Sequence, residues 1–164
     1  MIWMKVRTVA MDQQMNPVVL LVDQAETLAL PIWIGTPEAQ SIALELQGVK
    51  MPRPMTHDLM RDVLTELGVV LDHVVITELK DQTFYAELRL RRGGTSFVVS
   101  ARPSDAIALA VRAGATIYAE EALLDAEGIV ISQAEEGEDR GEGDELVAQF
   151  HEFLEGVRPE DFDK

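Results

Sequence analysis

The stretch Ser100-Ala101-Arg102-Pro103-Ser104-Asp105-Ala106-Ile107-Ala108-Leu109-Ala110-Val111-Arg112-Ala113-Gly114 decides how this chain is read. A run rich in β-formers, Thr95 to Ala101, leads into it. Pro103 has a φ preset for the first helical position and lacks the N–H that would go unpaired there. Ser104 and Asp105 then bring an oxygen acceptor and a negative charge to the positive end of the helix dipole. Ile107, Leu109, Ala110 and Val111 supply an apolar side, and Gly114 suits the stop. The spacing predicts a strand, a tight junction and a helix, with a guanidinium, a hydroxyl and a carboxylate gathered at the helix start.

Two other helix starts precede this one in sequence. Met51-Pro52-Arg53-Pro54-Met55-Thr56-His57-Asp58-Leu59 again sets Arg-Pro before a capping residue and an Asp. Thr56 is the expected cap of a helix from His57 to Leu67, ended by Gly68, that buries Leu59, Met60, Val63, Leu64 and Leu67. Gly35-Thr36-Pro37-Glu38 opens the third, with Thr36 as cap, Pro37 at the first position and Gly48 as the stop. The two Arg-Pro junctions either aim Arg53 and Arg102 at one place or pair each Arg with its own Asp. Glu38 and Glu45, seven residues apart, share a helix face. Such a pair binds a divalent cation, lies on a solvated face, or partners a nearby Arg.

The rest reads as short strands. Ile2–Met11, Val18–Val22 and Thr27–Ile34 form an antiparallel meander, with Pro31 pointing to a sheet edge or bulge. Trp33 is either core or the wall of a cleft. Val69–Leu79, Phe84–Arg92 and Thr95–Ala101 form a second set, the last two joined at Gly93-Gly94. Phe84, Ala86, Leu88 and Leu90 alternate with Tyr85, Glu87, Arg89 and Arg91, so one face is core and the other charged. Arg89, Arg91 and Arg92 make the densest basic patch, read as a solvated strand face or as a phosphate track for nucleic acid. Thr116–Ala119, a brief helix from Glu120 and a strand near Gly128–Ser132 complete a domain over residues 1–132. Residues 133–143 form an acidic, flexible linker. Within 144–164, Leu146, Val147, Phe150, Phe153, Leu154 and Val157 fall on one stripe at helical spacing, to be buried on this domain or on a second subunit.

Composition narrows the classes. At 164 residues and 47% hydrophobic, the chain has material for one core without staples. It has no cysteine, which removes disulfide frameworks, thiolate zinc sites and cysteine nucleophiles. No apolar run approaches the ~18 residues of a membrane span, and no secretory leader is visible, so a cytoplasmic protein without membrane contact is expected. The net charge is −15, but 12 of the 29 acids and only 3 of the 14 bases lie from Ser132 onward. The globular part is therefore moderately acidic and lacks the basic surplus of non-specific nucleic-acid binders.

No Gly-rich phosphate loop, nucleophile elbow, His-Glu-x-x-His or EF-hand is present. The helix starts carry what chemistry there is: Arg53, His57 and Asp58 from one, Arg102, Ser104 and Asp105 from the other. For phosphodiester cleavage the arginines would stabilise charge on phosphorus, His57 would activate water, and carboxylates would hold Mg²⁺ or Mn²⁺. No organic cofactor is expected.

The segments Leu30-Pro-Ile-Trp-Ile-Gly with Glu38-Ala39 and Ile42-Ala43-Leu44, then Arg53-Pro54-Met55-Thr56-His57-Asp58-Leu59, then Ala101-Arg102-Pro103-Ser104-Asp105-Ala106-Ile107-Ala108-Leu109-Ala110, together resemble the bifunctional nuclease domain family. The likeness covers roughly residues 1 to 132, with the three motifs in order. It implies an α+β fold with a mixed, curved, partly closed β-sheet, three main helices and a C-terminal amphipathic helix. It also implies a homodimer or higher homo-oligomer and a broad nuclease activity on RNA and DNA. The family often has Asp where this chain has Ser100, which removes one candidate metal ligand. A non-catalytic module that grips an anionic ligand through its Arg-Pro helix starts is the alternative function, and a set of ordinary local ion pairs is the purely structural one.

Overall fold

A computed structural model describes residues 1–131. The acidic linker expected at 133–143 and the amphipathic segment at 144–164 lie outside the described residues. The elements are β1 (Ile2–Met11), β2 (Pro17–Asp23), β3 (Leu28–Trp33), α1 (Thr36–Leu46), α2 (Thr56–Glu66), β4 (Val70–Lys80), β5 (Thr83–Arg92), β6 (Thr95–Ala101), α3 (Pro103–Ala113), β7 (Thr116–Ala119), α4 (Glu121–Glu127) and β8 (Ile129–Val130). The strands form one sheet in the order β6-β5-β4-β7-β1-β2-β3-β8. Only the β4–β7 pair is parallel, as its connection through a further hairpin and α3 requires. All other pairs are antiparallel, so the domain is α+β with a mixed, open sheet.

The alternation read from β5 sets the layers. Ala86, Leu88 and Leu90 lie opposite Ala101, Val99 and Phe97, and this face looks toward α3. The main core joins it to Val19, Leu21, Leu30, Ile32, Ile42, Ile107 and Leu109. The other face of β2 is buried too: Val18, Leu20 and Val22 form a second cluster with Ala29, against which Ala10, Trp33, Ile129 and Ile131 pack. β2 is thus apolar on both sides, as its unbroken Val-Val-Leu-Leu-Val run requires. Pro31 lies beyond the two residues that pair with β8, on a stretch of β3 bonded on one side only, which is where a residue without an N–H belongs.

α1 and α2 begin at Thr36 and Thr56, the hydroxyl residues expected as their caps, and α3 begins at Pro103 as expected. Gly35, Met55 and Arg102 are the N-caps of α1, α2 and α3, and none bonds the helix through its side chain. At α2 the Asp58 carboxylate instead reaches back to accept the Met55 N–H at 2.9 Å. α3 ends as expected, with Gly114 at φ 65° in the left-handed region.

The larger correction concerns α2. Leu59, Met60, Val63 and Leu67 are exposed, Leu64 is half-buried, and only His57 of this helix is buried. Period and polarity define an apolar stripe, yet α2 turns its other side toward α3 and leaves the stripe uncovered by the described residues. Phe97, Val98 and Val99 of the edge strand β6 are exposed as well. Among the described residues no helix is long and apolar enough to cross a membrane.

α3 is the centre of the fold, with eight buried residues, and it packs on α1, α2, β4 and β5. Ile107→Ala should therefore cost about 2–5 kcal/mol of unfolding free energy. Leu59→Ala, on the exposed stripe of α2, should change the stability of the isolated monomer by less than about 0.5 kcal/mol. Urea denaturation of the two variants checks the assignment of core and surface.

Candidate functional site

The first turns of α1 and α3 lie side by side, and one side chain links them. Arg102 donates from Nε to Asp105 Oδ2 at 2.7 Å and from Nη2 to Asp105 Oδ1 at 2.9 Å. Its Nη2 also donates to Glu38 Oε1 at 2.9 Å. Glu38 and Asp105 are each the third residue of their helices, where a carboxylate answers the positive end of the dipole. Bonds to Asp105 and then to Glu38 raise the Arg102 pKa further above its ordinary value, so its charge is fixed. Gly35 makes this possible: a Cβ there would collide with Glu38 Oε2 and push the carboxylate away.

Behind Asp105 runs a buried polar chain. His57 Nε2 lies 3.1 Å from Asp105 Oδ1, and His57 Nδ1 lies 2.9 Å from Ser41 Oγ. An ionised carboxylate only accepts, so Nε2 carries the proton, and in the neutral imidazole Ser41 O–H donates to Nδ1. The order hydroxyl–imidazole–carboxylate matches that of a nucleophilic triad. Ser41, however, is only 3% exposed, inside the packing of α1, and no substrate reaches it. The chain joins three helices and positions Asp105.

A second buried link runs from α3 to the other two helices. Arg112 Nε donates to Asp58 Oδ1 at 2.7 Å, and Nη2 to the Ser41 carbonyl at 2.9 Å. Its Nη1 donates to the Ala108 carbonyl, also at 2.9 Å. Neither Ser41 nor Arg112 stands out in the sequence analysis. The available signal was positional: Arg112 follows Asp105 by seven residues, on the same side of the helix.

Asp105 and Asp58 feel opposing effects. Burial pushes Asp105 up, but bonds and charge from Arg102, with the bond from His57, outweigh it and hold the carboxyl below its usual value. Asp58 is lowered chiefly by the Met55 N–H, against burial, with Arg112 adding to the effect.

Beside the Arg102 clamp opens a cleft of about 260 Å³. Trp33, Ile34, Leu79 and Phe84 form apolar walls, and Gly35, Arg102 and Ser104 its polar end. Its walls come from β3 and from the β4–β5 hairpin, which three strands separate in the sheet order, so the sheet curls strongly to bring them together. Trp33 is held by its Nε1–H donating to Asp12 Oδ2 at 3.1 Å. Asp12 also ties the β1–β2 turn through the N–H groups of Gln14 and Asn16. Of the two readings of Trp33, both apply: it packs on the second cluster and walls the cleft.

Of the expected site residues, Arg102, Ser104, Asp105, His57 and Glu38 come together. Asp58 is drawn inward to Arg112. Arg53 is exposed and does not line the cleft. Arg89 pairs with Glu87 on its own strand, and Arg91 lies 3.8 Å from Asp72. Both are on the outer face of β5 near its far end, with Arg92 beyond them, away from the Thr83-Phe84 end that lines the cleft. Glu45 faces away toward α2, where its charge acts on Arg61. Among the described residues no group of three or more His, Asp or Glu is placed to hold a metal ion. Glu38 and Asp105 are both engaged by Arg102, which a divalent cation would have to displace.

Comparison with known proteins adds the following. The family model described as bifunctional nuclease domain matches residues 18–132. An uncharacterized protein of Mycobacterium tuberculosis (strain H37Rv) is 47% identical over 150 residues, covering 91% of this chain and 90% of that one. The protein named bifunctional nuclease 2 of Arabidopsis thaliana is 29% identical over 117 residues, covering 70% of this chain and 36% of its own length. Bifunctional nuclease 1 of Oryza sativa subsp. indica is 24% identical over 121 residues, covering 72% of this chain and 37% of its own. The plant proteins are thus matched over little more than a third of their length.

Two outcomes follow from the buried links. Arg112→Met leaves the Asp58 carboxylate without its guanidinium and should destabilise the fold by about 3–5 kcal/mol in urea titration. Asp58 and Asp105 both titrate below their ordinary 3.8 in the folded state, so the unfolded chain binds protons more readily. Their contribution is complete above that value and should be lost as the pH falls through the lower folded values. An acid titration followed by circular dichroism should show a weaker acid transition in Asp58→Asn.

Proposed function

The chain belongs to the bifunctional nuclease domain family, and from that premise we propose that it hydrolyses phosphodiester bonds in RNA and DNA at the cleft beside Arg102. The observation that carries the reading is the Arg102 clamp: a permanently charged guanidinium, held by Asp105 and Glu38 at the mouth of an open cleft, with Nη1 unengaged among the described residues. A guanidinium fixed in this way meets charge developing on a phosphate without reorganising.

Water activation falls to Glu38 rather than to His57. Both His57 nitrogens are engaged, and Asp105 accepts bonds on both oxygens. Glu38 binds Arg102 through Oε1 only, while Oε2 sits beside Gly35, which lines the cleft next to Glu38. His57 is then a positioning residue that acts through Asp105. A Mg²⁺ or Mn²⁺ ion would supply Lewis acidity. The carboxylates present offer it no ready ligand set, and no step here passes through one.

The proposal extends to the assembly and its setting. The edge of β6, unpaired among the described residues, and the stripe of α2 exposed among them are the surfaces a second copy would cover in a homodimer or higher oligomer. A cytoplasmic location accords with the absence of cysteine.

Purified protein should digest unstructured RNA and single-stranded DNA. Arg102→Ala should lower the rate about 10²–10³-fold. Glu38→Gln should lower it about 10²–10⁴-fold, and Arg89→Ala, on the outer face, should leave it unchanged. An equal rate in the Arg102→Ala/Glu38→Gln double variant would assign the activity to a contaminant and leave the anion-binding module as the function. Light scattering should give at least twice the monomer mass, and Leu59→Asp with Val63→Asp should reduce it.

A further inference from the structure

One side chain in the cleft is left over by the clamp. Ser104 is only 6% exposed, and its hydroxyl has no hydrogen-bond partner among the described residues. Its oxygen nevertheless keeps contact with solvent, and because Ser104 lines the cleft that contact is through the cleft. A hydroxyl this buried ordinarily finds a partner. Its backbone is in the same position. Pro103 has no N–H, and the Asp105 and Ala106 N–H groups both bond the Arg102 carbonyl, at 3.1 and 3.0 Å. The Ser104 N–H is the first-turn donor of α3 that remains, at the positive end of an eleven-residue helix. Ser104, with two neutral donors not otherwise engaged among the described residues, and Arg102, with Nη1 left over, both line the cleft.

The rest of the lining is mainly apolar, with Gln82 and Thr83 of the β4–β5 hairpin as its other polar residues. Trp33 and Phe84 bring aromatic surface, and Leu79 and Ile34 close the walls. Trp33 is fixed by its bond to Asp12, so its ring does not turn away. The volume, about 260 Å³, lies just under the usual small-molecule range and admits one nucleotide but no duplex.

We infer that the cleft is a nucleoside monophosphate site, with the phosphate on the Ser104 hydroxyl and N–H and on Arg102 Nη1, and the planar base against Trp33 and Phe84. The inference rests on the nuclease reading above, which makes the nucleotide the chemical class at hand. Glu38 and Asp105 outnumber Arg102 by one negative charge, so the neutral donors of Ser104 carry the discrimination for phosphate.

The test needs no turnover. The chain has two tryptophans, Trp3 and Trp33, and in a Trp3→Phe background Trp33 alone reports on the cleft. Titration with uridine 5′-monophosphate should change its fluorescence saturably, with uridine binding at least tenfold more weakly. Ser104→Ala should weaken the monophosphate about tenfold or more, the loss of a bond to a charged group, and leave uridine unchanged. Amide chemical shifts near Ser104 and Trp33 should move together in the unsubstituted protein, which guards against a folding defect in the variant. No saturable response to the monophosphate, or equal binding of both ligands, would overturn the inference. Binding without nuclease activity would reject the nuclease reading and keep the site; activity without binding would do the reverse.

Discussion

The structure depends on α3 being held from both ends. At its start, Arg102 and Asp105 tie it to α1 through Glu38 and to α2 through His57. Near its last turn, Arg112 reaches Asp58 of α2 and the Ser41 carbonyl of α1. Between these links lie Ala106, Ile107, Ala108, Leu109 and Ala110, all fully buried. Burial of that segment drives the packing, but apolar contact is non-directional and does not fix the rotation of one helix against another. The polar links do, because each works only at one register. The small residues on α3 let the other helices come close enough for the links to form.

The candidate site is a consequence of that register. α1 and α3 start side by side because Ser41, His57 and Asp105 connect in line, and the two first-turn acids then share a guanidinium. The cleft in turn needs the curl of the sheet, which brings Trp33 of β3 near Phe84 of β5. Asp12 connects these levels: the carboxylate that closes the β1–β2 turn also fixes the tryptophan that walls the cleft. Its several donors overcome the effect of burial and hold its carboxyl below the ordinary value, so it stays charged across the neutral range.

Local chemistry was legible in the sequence, and long-range pairing was not. Proline, acid and glycine placed all three main helices to within a residue or so, because those signals act on the nearest turn. Gly93-Gly94 and the alternation in β5 gave the hairpin and its inward face, since strand period alone decides them. The insertion of β7 between β4 and β1 had no sequence sign, as it joins residues more than 110 positions apart. The stripe of α2 has no cover among the described residues, and periodicity shows which residues share a face, not what covers them. Ser41 was missed because a serine inside a helix has no signature until its partner, sixteen residues on, is placed beside it.

The charge at the clamp explains why such a site persists in an acidic chain. Two carboxylates and one guanidinium leave a net negative charge, yet each carboxylate sits at a helix start worth roughly half a positive charge. The two dipoles together offset the excess, and the cluster is close to neutral. A free arginine in this acidic domain would be drawn to whichever carboxylate lay nearest. Here it is held by two, in fixed geometry, with one nitrogen left over. On the proposed reading, an anion entering the cleft would meet the donors Nη1 and the Ser104 N–H rather than a diffuse basic surface. Such an arrangement would recognise an anion locally, and it is compatible with a globular part whose overall charge would repel nucleic acid at longer range.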